Sequence, residues 1–148
     1  MSTPQRPLAN SALHKFLLIH RHLRQVARQM DEQGMRPRQF AVLLYLLEQE
    51  SSTVSEIQDY LYTSPSSAST IISQLEEMGY VTRTRSEDDN RVVNVQLTPA
   101  GREKAQQTPL GGIALLRRRL DSLPEDRLKM IDEVMSDLMQ LMEVQDTE

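Results

Sequence analysis

Between Gly79 and Thr98 the spacing of apolar side chains changes from about 3.6 residues to 2 and then changes back. Tyr80–Arg85 alternates, with Arg83 and Arg85 on one face. Arg91–Leu97 alternates too, with Val93, Val95 and Leu97 together. The polar, turn-prone run Ser86-Glu87-Asp88-Asp89-Asn90 lies between them. The pattern predicts a β-hairpin with a loop of about five residues, set inside an otherwise helical chain.

The helices on either side are equally readable. The first nine residues hold two prolines and few large apolar side chains, and read as a loose end. From Ser11, the residues Leu13, Phe16, Leu17, His20, Leu23, Ala27 and Met30 recur on one helical face, and Gly34 offers a stop. Pro37 opens a second helix at its first turn, where a missing N–H costs nothing. Phe40, Val42, Leu43, Leu44, Tyr45, Leu46 and Leu47 make that helix apolar nearly all round, so it belongs at the centre. Ser51-Ser52 break it. Thr53-Val54-Ser55-Glu56 is a capping box, in which Glu56 reaches back to the cap. Ser64 caps the next helix and Pro65 starts it; its apolar face is Ala68, Ile71, Ile72 and Leu75, and Gly79 ends it. After the hairpin, Thr98-Pro99 start another helix, which Thr108–Gly112 interrupt. Pro124 starts the last one, with the stripe Leu128, Ile131, Met135, Leu138 and Met142. The fold class is mainly α with a small β-hairpin wing (α+β), and 148 residues predict a single domain over 1–148.

Composition excludes several chemistries. There is no cysteine, hence no disulfide framework, zinc-thiolate site or thiol nucleophile. No Gly-rich phosphate loop or His-Glu-x-x-His motif is present, and His14, His20 and His22 sit together in one helix with nothing to order a nucleophilic triad. The spacings of those histidines, six and two, do not place two imidazoles at i, i+4, so neither metal nor cofactor is expected, and no enzyme. The longest apolar run, Ala41–Leu47, is too short to span a membrane, and Phe16–Ile19 is too short for a signal-peptide core. A cytoplasmic location is the default expectation.

Two short helices joined by a tight turn and followed by a two-stranded ribbon make a winged helix-turn-helix. With Ala68, Ile71, Ile72 and Leu75 turned inward, Ser66, Thr70, Ser73 and Glu77 point out, flanked by Ser67 and Gln74. Small hydroxyls and an amide allow close approach to DNA and can bond phosphates or base edges. Free N–H groups at Ser66 and Ser67 favour a phosphate. At the wing, the carboxylate of Asp89 can hold the Arg91 guanidinium, which then enters a minor groove, while Arg83 and Arg85 meet flanking phosphates. Taken alone, the helix reads equally as the solvated face of a non-catalytic winged-helix module that binds proteins. Charge adds an objection to DNA: residues 51–104 hold five Lys/Arg against eight Asp/Glu, whereas residues 1–50 hold seven against four.

The segment Thr53–Gly101 resembles the DNA-binding region of MarR-type transcriptional regulators. The carrying residues are Thr53-Val54-Ser55-Glu56-Ile57, Ser64-Pro65-Ser66-Ser67-Ala68-Ser69 and Leu75-Glu76-Glu77-Met78-Gly79-Tyr80-Val81. Most specific is Asp89-Asn90-Arg91, six residues before Leu97-Thr98-Pro99-Ala100-Gly101. The resemblance implies a homodimer with dimerisation helices at about 10–34 and 108–143 and a DNA-binding lobe at about 37–101. It also implies a small ligand bound between the dimer core and that lobe. The function expected is a ligand-responsive repressor on a pseudo-palindromic operator in double-stranded DNA. The effector is expected to be a small aromatic or amphipathic molecule, with His20 or a nearby arginine as its polar contact. The chain departs from the family where basic residues are common: Thr70 and Gln74 occupy those places on the recognition helix, and Asn90 the middle of the wing motif. Arg117-Arg118-Arg119 read as a solvated helix face, and Met130, Met135, Met139 and Met142 as core or dimer packing.

Overall fold

The computed structural model describes residues 6–146, as seven helices and a three-stranded antiparallel sheet. The first helix, α1 (Arg6–Glu32), begins before Ser11. Pro7 lies in its first turn, where no intrahelical N–H is owed, so residues 6–9 are helix rather than a loose end. Residues 1–5 of that expectation lie outside the described residues. At the other end Gly34 adopts φ +76°, and the N–H groups of Gly34 and Met35 donate to the carbonyls of Asp31 (2.9 Å) and Met30 (3.0 Å). This left-handed closure turns the chain straight into α2 (Pro37–Gln49).

The central position expected of α2 is what the structure shows. Phe40, Val42, Leu43 and Leu46 are fully buried, and Met30, Met35, Ile57, Ile72, Leu75, Val81 and Val95 close around them. Each such side chain contributes roughly 1.5–3 kcal/mol on burial. Past α2, Glu50 at φ +62° swings the chain into β1 (Ser51–Thr53). The serines therefore do more than break a helix: β1 pairs antiparallel with β3 (Val93–Leu97), Ser52 opposite Val95, and β3 pairs in turn with β2 (Val81–Arg85). A three-residue strand has no period to read.

In α3 (Val54–Leu61) the Thr53 hydroxyl accepts the Glu56 N–H at 3.1 Å. The Glu56 carboxylate does not return to the cap backbone; it accepts from the Ser52 hydroxyl at 2.8 Å, because β1 brings that hydroxyl within reach. The next helix, α4 (Pro65–Glu77), ends on Gly79 at φ +80°, with the Tyr80 N–H on the Leu75 carbonyl at 2.9 Å. The Thr98 hydroxyl caps α5 (Pro99–Gln107) by accepting the Gly101 N–H (3.0 Å) and donates to the Gly79 carbonyl at 2.6 Å. One side chain thus joins the end of α4 to the start of α5. Residues 108–111 then interrupt the helical course, as expected, before α6 (Gly112–Asp121) and α7 (Glu125–Leu141). Neither α6 nor α7 holds a fully buried residue. Leu13 and Leu17 of α1 and Met130, Val134 and Met135 of α7 are about half exposed.

Candidate nucleic-acid interface

The helix expected from the sequence to face DNA is α4. Its inward row, Ala68, Ile71, Ile72 and Leu75, is buried against the lobe, which fixes what faces out. Ser66 and Thr70 are exposed; Ser67, Ser73 and Gln74 are half-buried. The Ser67 N–H is not free, as the sequence suggested, because it donates to the Ser64 hydroxyl at 3.2 Å. The hydroxyls of Ser64 and Ser67 are 2.9 Å apart. Thr70 Oγ1 donates to the Ser66 carbonyl at 2.9 Å, which leaves its lone pairs outward. Gln74 Oε1 accepts from Gln39 Nε2 at 3.0 Å, and the Gln39 amide oxygen accepts the Arg36 N–H at 2.9 Å. The first turn of α2 is thereby bonded to the outer face of α4.

The wing differs from expectation in three places. The hairpin loop runs over residues 86–92, so Arg91 lies in the turn at the tip rather than in a strand. The Ser86 N–H reaches the Val92 carbonyl (2.9 Å), and the Val92 N–H reaches the Asp89 carbonyl (3.0 Å). Asp89 does not grip the Arg91 guanidinium. Its Oδ1 accepts the Arg91 backbone N–H at 3.0 Å, a closure available to an Asp two residues ahead. The brace acts on the turn and leaves the guanidinium exposed at the tip. Arg83 does not stand free at the strand edge either. Its Nη2 donates to the Ser69 carbonyl at 3.1 Å and to the Ser73 hydroxyl, both on α4, because Arg83 shares a strand face with buried Val81 and points at the helix. Arg83 Nε is buried without a partner. Arg85 Nη1 reaches the Asn90 carbonyl at 3.3 Å, within the wing. Ser73, expected to face the groove, accepts from Arg83.

One cavity adjoins this face, and a second is lined by other elements. The first, of about 560 Å³, runs between the first turn of α2 and α4, lined by Arg36, Arg38, Ser66, Ser67, Thr70 and Gln74 among others. The other, of about 530 Å³, lies between α1, α2, the end of α3 and α6. Its apolar walls include Leu23, Met30, Phe40 and Leu44, and its polar groups include Tyr60 and Arg117. Arg117 is not the solvated residue its sequence context suggested. Its guanidinium lies 3.8 Å from the centre of the Tyr60 ring and donates to the Tyr60 carbonyl at 3.0 Å. The Tyr45 ring stacks on Tyr60 at 4.4 Å. Burial raises the Tyr60 phenol above its ordinary value, and the Arg117 charge opposes the rise. His20 lies elsewhere, exposed on α1 in a depression with Leu17, Arg24 and Arg28, so it does not line the cavity under the lobe. The tyrosines and Arg117 had no local signal; a chain-wide pairing of an aromatic with an arginine 57 residues away is invisible to periodicity.

Known proteins are similar to this chain in sequence and in fold. A family model described as MarR matches residues 35–93. The HTH-type transcriptional repressor MdtR of Bacillus subtilis (strain 168) is 31% identical over 114 residues, 77% of this chain and 74% of that protein. The YusO protein from Bacillus subtilis superposes with a TM-score of 0.63 at 26% identity, over 94% of this chain and 99% of that one. Overoxidized AbfR bound to DNA superposes with a TM-score of 0.60 at 25% identity, over 95% and 99% of the two chains.

Proposed function

The chain belongs to the MarR family of DNA-binding transcriptional regulators, and from that premise we propose that it is a homodimeric, ligand-responsive repressor of a pseudo-palindromic operator. Membership sets aside the alternative of a protein-binding module without specific DNA contact. The observation that carries the mechanism is the outward face of α4. Ser66, Ser67, Thr70 and Gln74 stand opposite a wholly apolar inner row, beside a wing whose tip holds the exposed Arg91. In a two-fold dimer two such helices enter successive major grooves about 10 base pairs apart. Arg91 enters the flanking minor groove, with Asp89 holding the turn that presents it, and Arg85 supports the wing from phosphate or from its own loop. Residues of about 10–34 and 108–143 supply the dimer core, because α1 and α7 keep apolar side chains that the described residues leave about half exposed.

The effector site in this reading is the cavity of about 530 Å³, within the range that small-molecule pockets occupy. A small aromatic or amphipathic molecule fits its apolar walls, with Arg117 and Tyr60 rather than His20 as polar contacts. The cavity borders both α1 and the α2 end that touches the recognition helix, so an occupant can shift one against the other. Linkage requires that DNA weaken the ligand by the factor with which the ligand weakens DNA.

The test is equilibrium binding to a duplex that the wild-type protein selects from a random-sequence pool. The selected site is expected to show two-fold symmetry. Arg91→Ala should weaken binding by about 1–3 kcal/mol per half-site, and Asp89→Ala by less, since it loosens the turn but keeps the charge. Wild-type affinity in Arg91→Ala at near-physiological salt would remove the wing from the mechanism.

A further inference from the structure

We propose that Arg36 and Arg38, on the first turn of α2, hold the DNA backbone phosphates that flank the recognition helix; this rests on the DNA-binding reading above. The need for such cations is on the face itself. The helix Pro65–Glu77 contains no Lys or Arg. Of the three wing arginines, Arg83 is engaged with Ser69 and Ser73, and Arg85 with the Asn90 carbonyl. Yet phosphate neutralisation supplies most non-specific affinity, and residues 51–104 carry a negative surplus.

The groove beside α4 supplies what the helix lacks. Arg36 and Arg38 line it together with Ser66, Thr70 and Gln74, and no carboxylate is among its lining residues. Both arginines are exposed. The ion pair recorded among the described residues, Lys129 with Glu125, is on α7, so neither guanidinium is neutralised within the described chain. A guanidinium fork suits bidentate contact with a phosphate. The site is also held in register. Gln39 accepts the Arg36 N–H and donates to Gln74, so the turn carrying the arginines is bonded to the helix that reads bases. Phosphates gripped there set how deep and at what angle α4 enters the groove. The basic surplus of residues 1–50 thus serves the acidic segment that follows it.

The experiment measures the salt dependence of binding to the same selected duplex. With one phosphate per arginine, R36Q/R38Q removes four contacts from a dimer. The log–log slope is then expected to flatten by about 3–4, from roughly 0.9 per phosphate, with affinity down roughly tenfold to a hundredfold at physiological salt. R36Q and R38Q alone should each give about half of that flattening. R36K/R38K should keep most of the slope, because a phosphate accepts an ammonium as a point charge. R102Q, at an exposed position of α5 outside the dimer helices and the DNA-facing elements, should leave slope and affinity unchanged. Thermal unfolding monitors the fold, which exposed side chains should not alter. A wild-type slope in R36Q/R38Q overturns the proposal. If the wild-type protein enriches no duplex at all, the DNA-binding reading itself fails, and the two failures are separate.

Discussion

A methyl group on Gly101 would overlap the carbonyl oxygen of Tyr80. That carbonyl also accepts the Thr98 N–H at 3.0 Å, so the obstacle is backbone that cannot swing aside. Alanine in a helix ordinarily gains about 0.5–1 kcal/mol over glycine. Here the overlap should dominate, and Gly101→Ala should destabilise the protein by about 1–3 kcal/mol in urea unfolding. Equal or greater stability in the variant would mean that the α4–α5 junction yields without strain. The glycine was legible as part of Leu97-Thr98-Pro99-Ala100-Gly101, but its reason was not. A close approach between residues 80 and 101 exists only once the hairpin between them has closed. Asp89 gives the converse lesson. Its partner lies two residues away and could be guessed from sequence, yet it is the backbone N–H of Arg91 rather than the side chain.

At the scale of elements, one arginine side chain bonds the wing to α4. Nη2 of Arg83, from β2, bonds both the Ser69 carbonyl and the Ser73 hydroxyl on α4. This latch helps fix the angle between β2 and α4, so in the proposed reading Arg83 is a positioning residue. Arg83→Ala should weaken operator binding without flattening its salt slope, because no phosphate contact is lost. Ser73→Ala should weaken it less, and the two changes together should cost less than their sum, since they break the same bond. A slope flattened by about 2 for the dimer, with strict additivity, would return Arg83 to the phosphates. Most helices, their Thr and Ser N-caps and the hairpin were legible. The latch was not, because alternation places Arg83 and Arg85 on one strand face without saying which of them α4 reaches.

For the whole molecule, the unresolved burial is that of α1, α6 and α7. Met135 on α7 is 48% exposed in one protomer, and the apolar residues around it on that helix are similarly open. In the dimer proposed above a two-fold partner covers them, which would make association part of folding. Met135→Asp places an unpaired charge in that seam and should shift the protein from dimer to monomer, or unfold it, at micromolar concentration. Sedimentation velocity reads the outcome directly: a variant that sediments as a dimer with wild-type stability would place the seam elsewhere.

What the sequence determined by itself are features whose physics is local. Thr53, Ser64 and Thr98 cap helices through bonds that span three residues, and Gly34 and Gly79 end them through one backbone angle. The apolar rows of α2 and α4 follow from periodicity, and the wing from the change of period. The tertiary structure alone decided which polar groups are free. Gln39 meets Gln74 across 35 residues, Arg117 meets Tyr60 across 57, and β1 finds β3, each because packing of the apolar rows brings the elements together first. A polar side chain takes whichever partner that packing leaves within about 3 Å. For this reason the residue types on the outer face of α4 and the wing could be read along the chain, whereas the internal partners of its arginines could not.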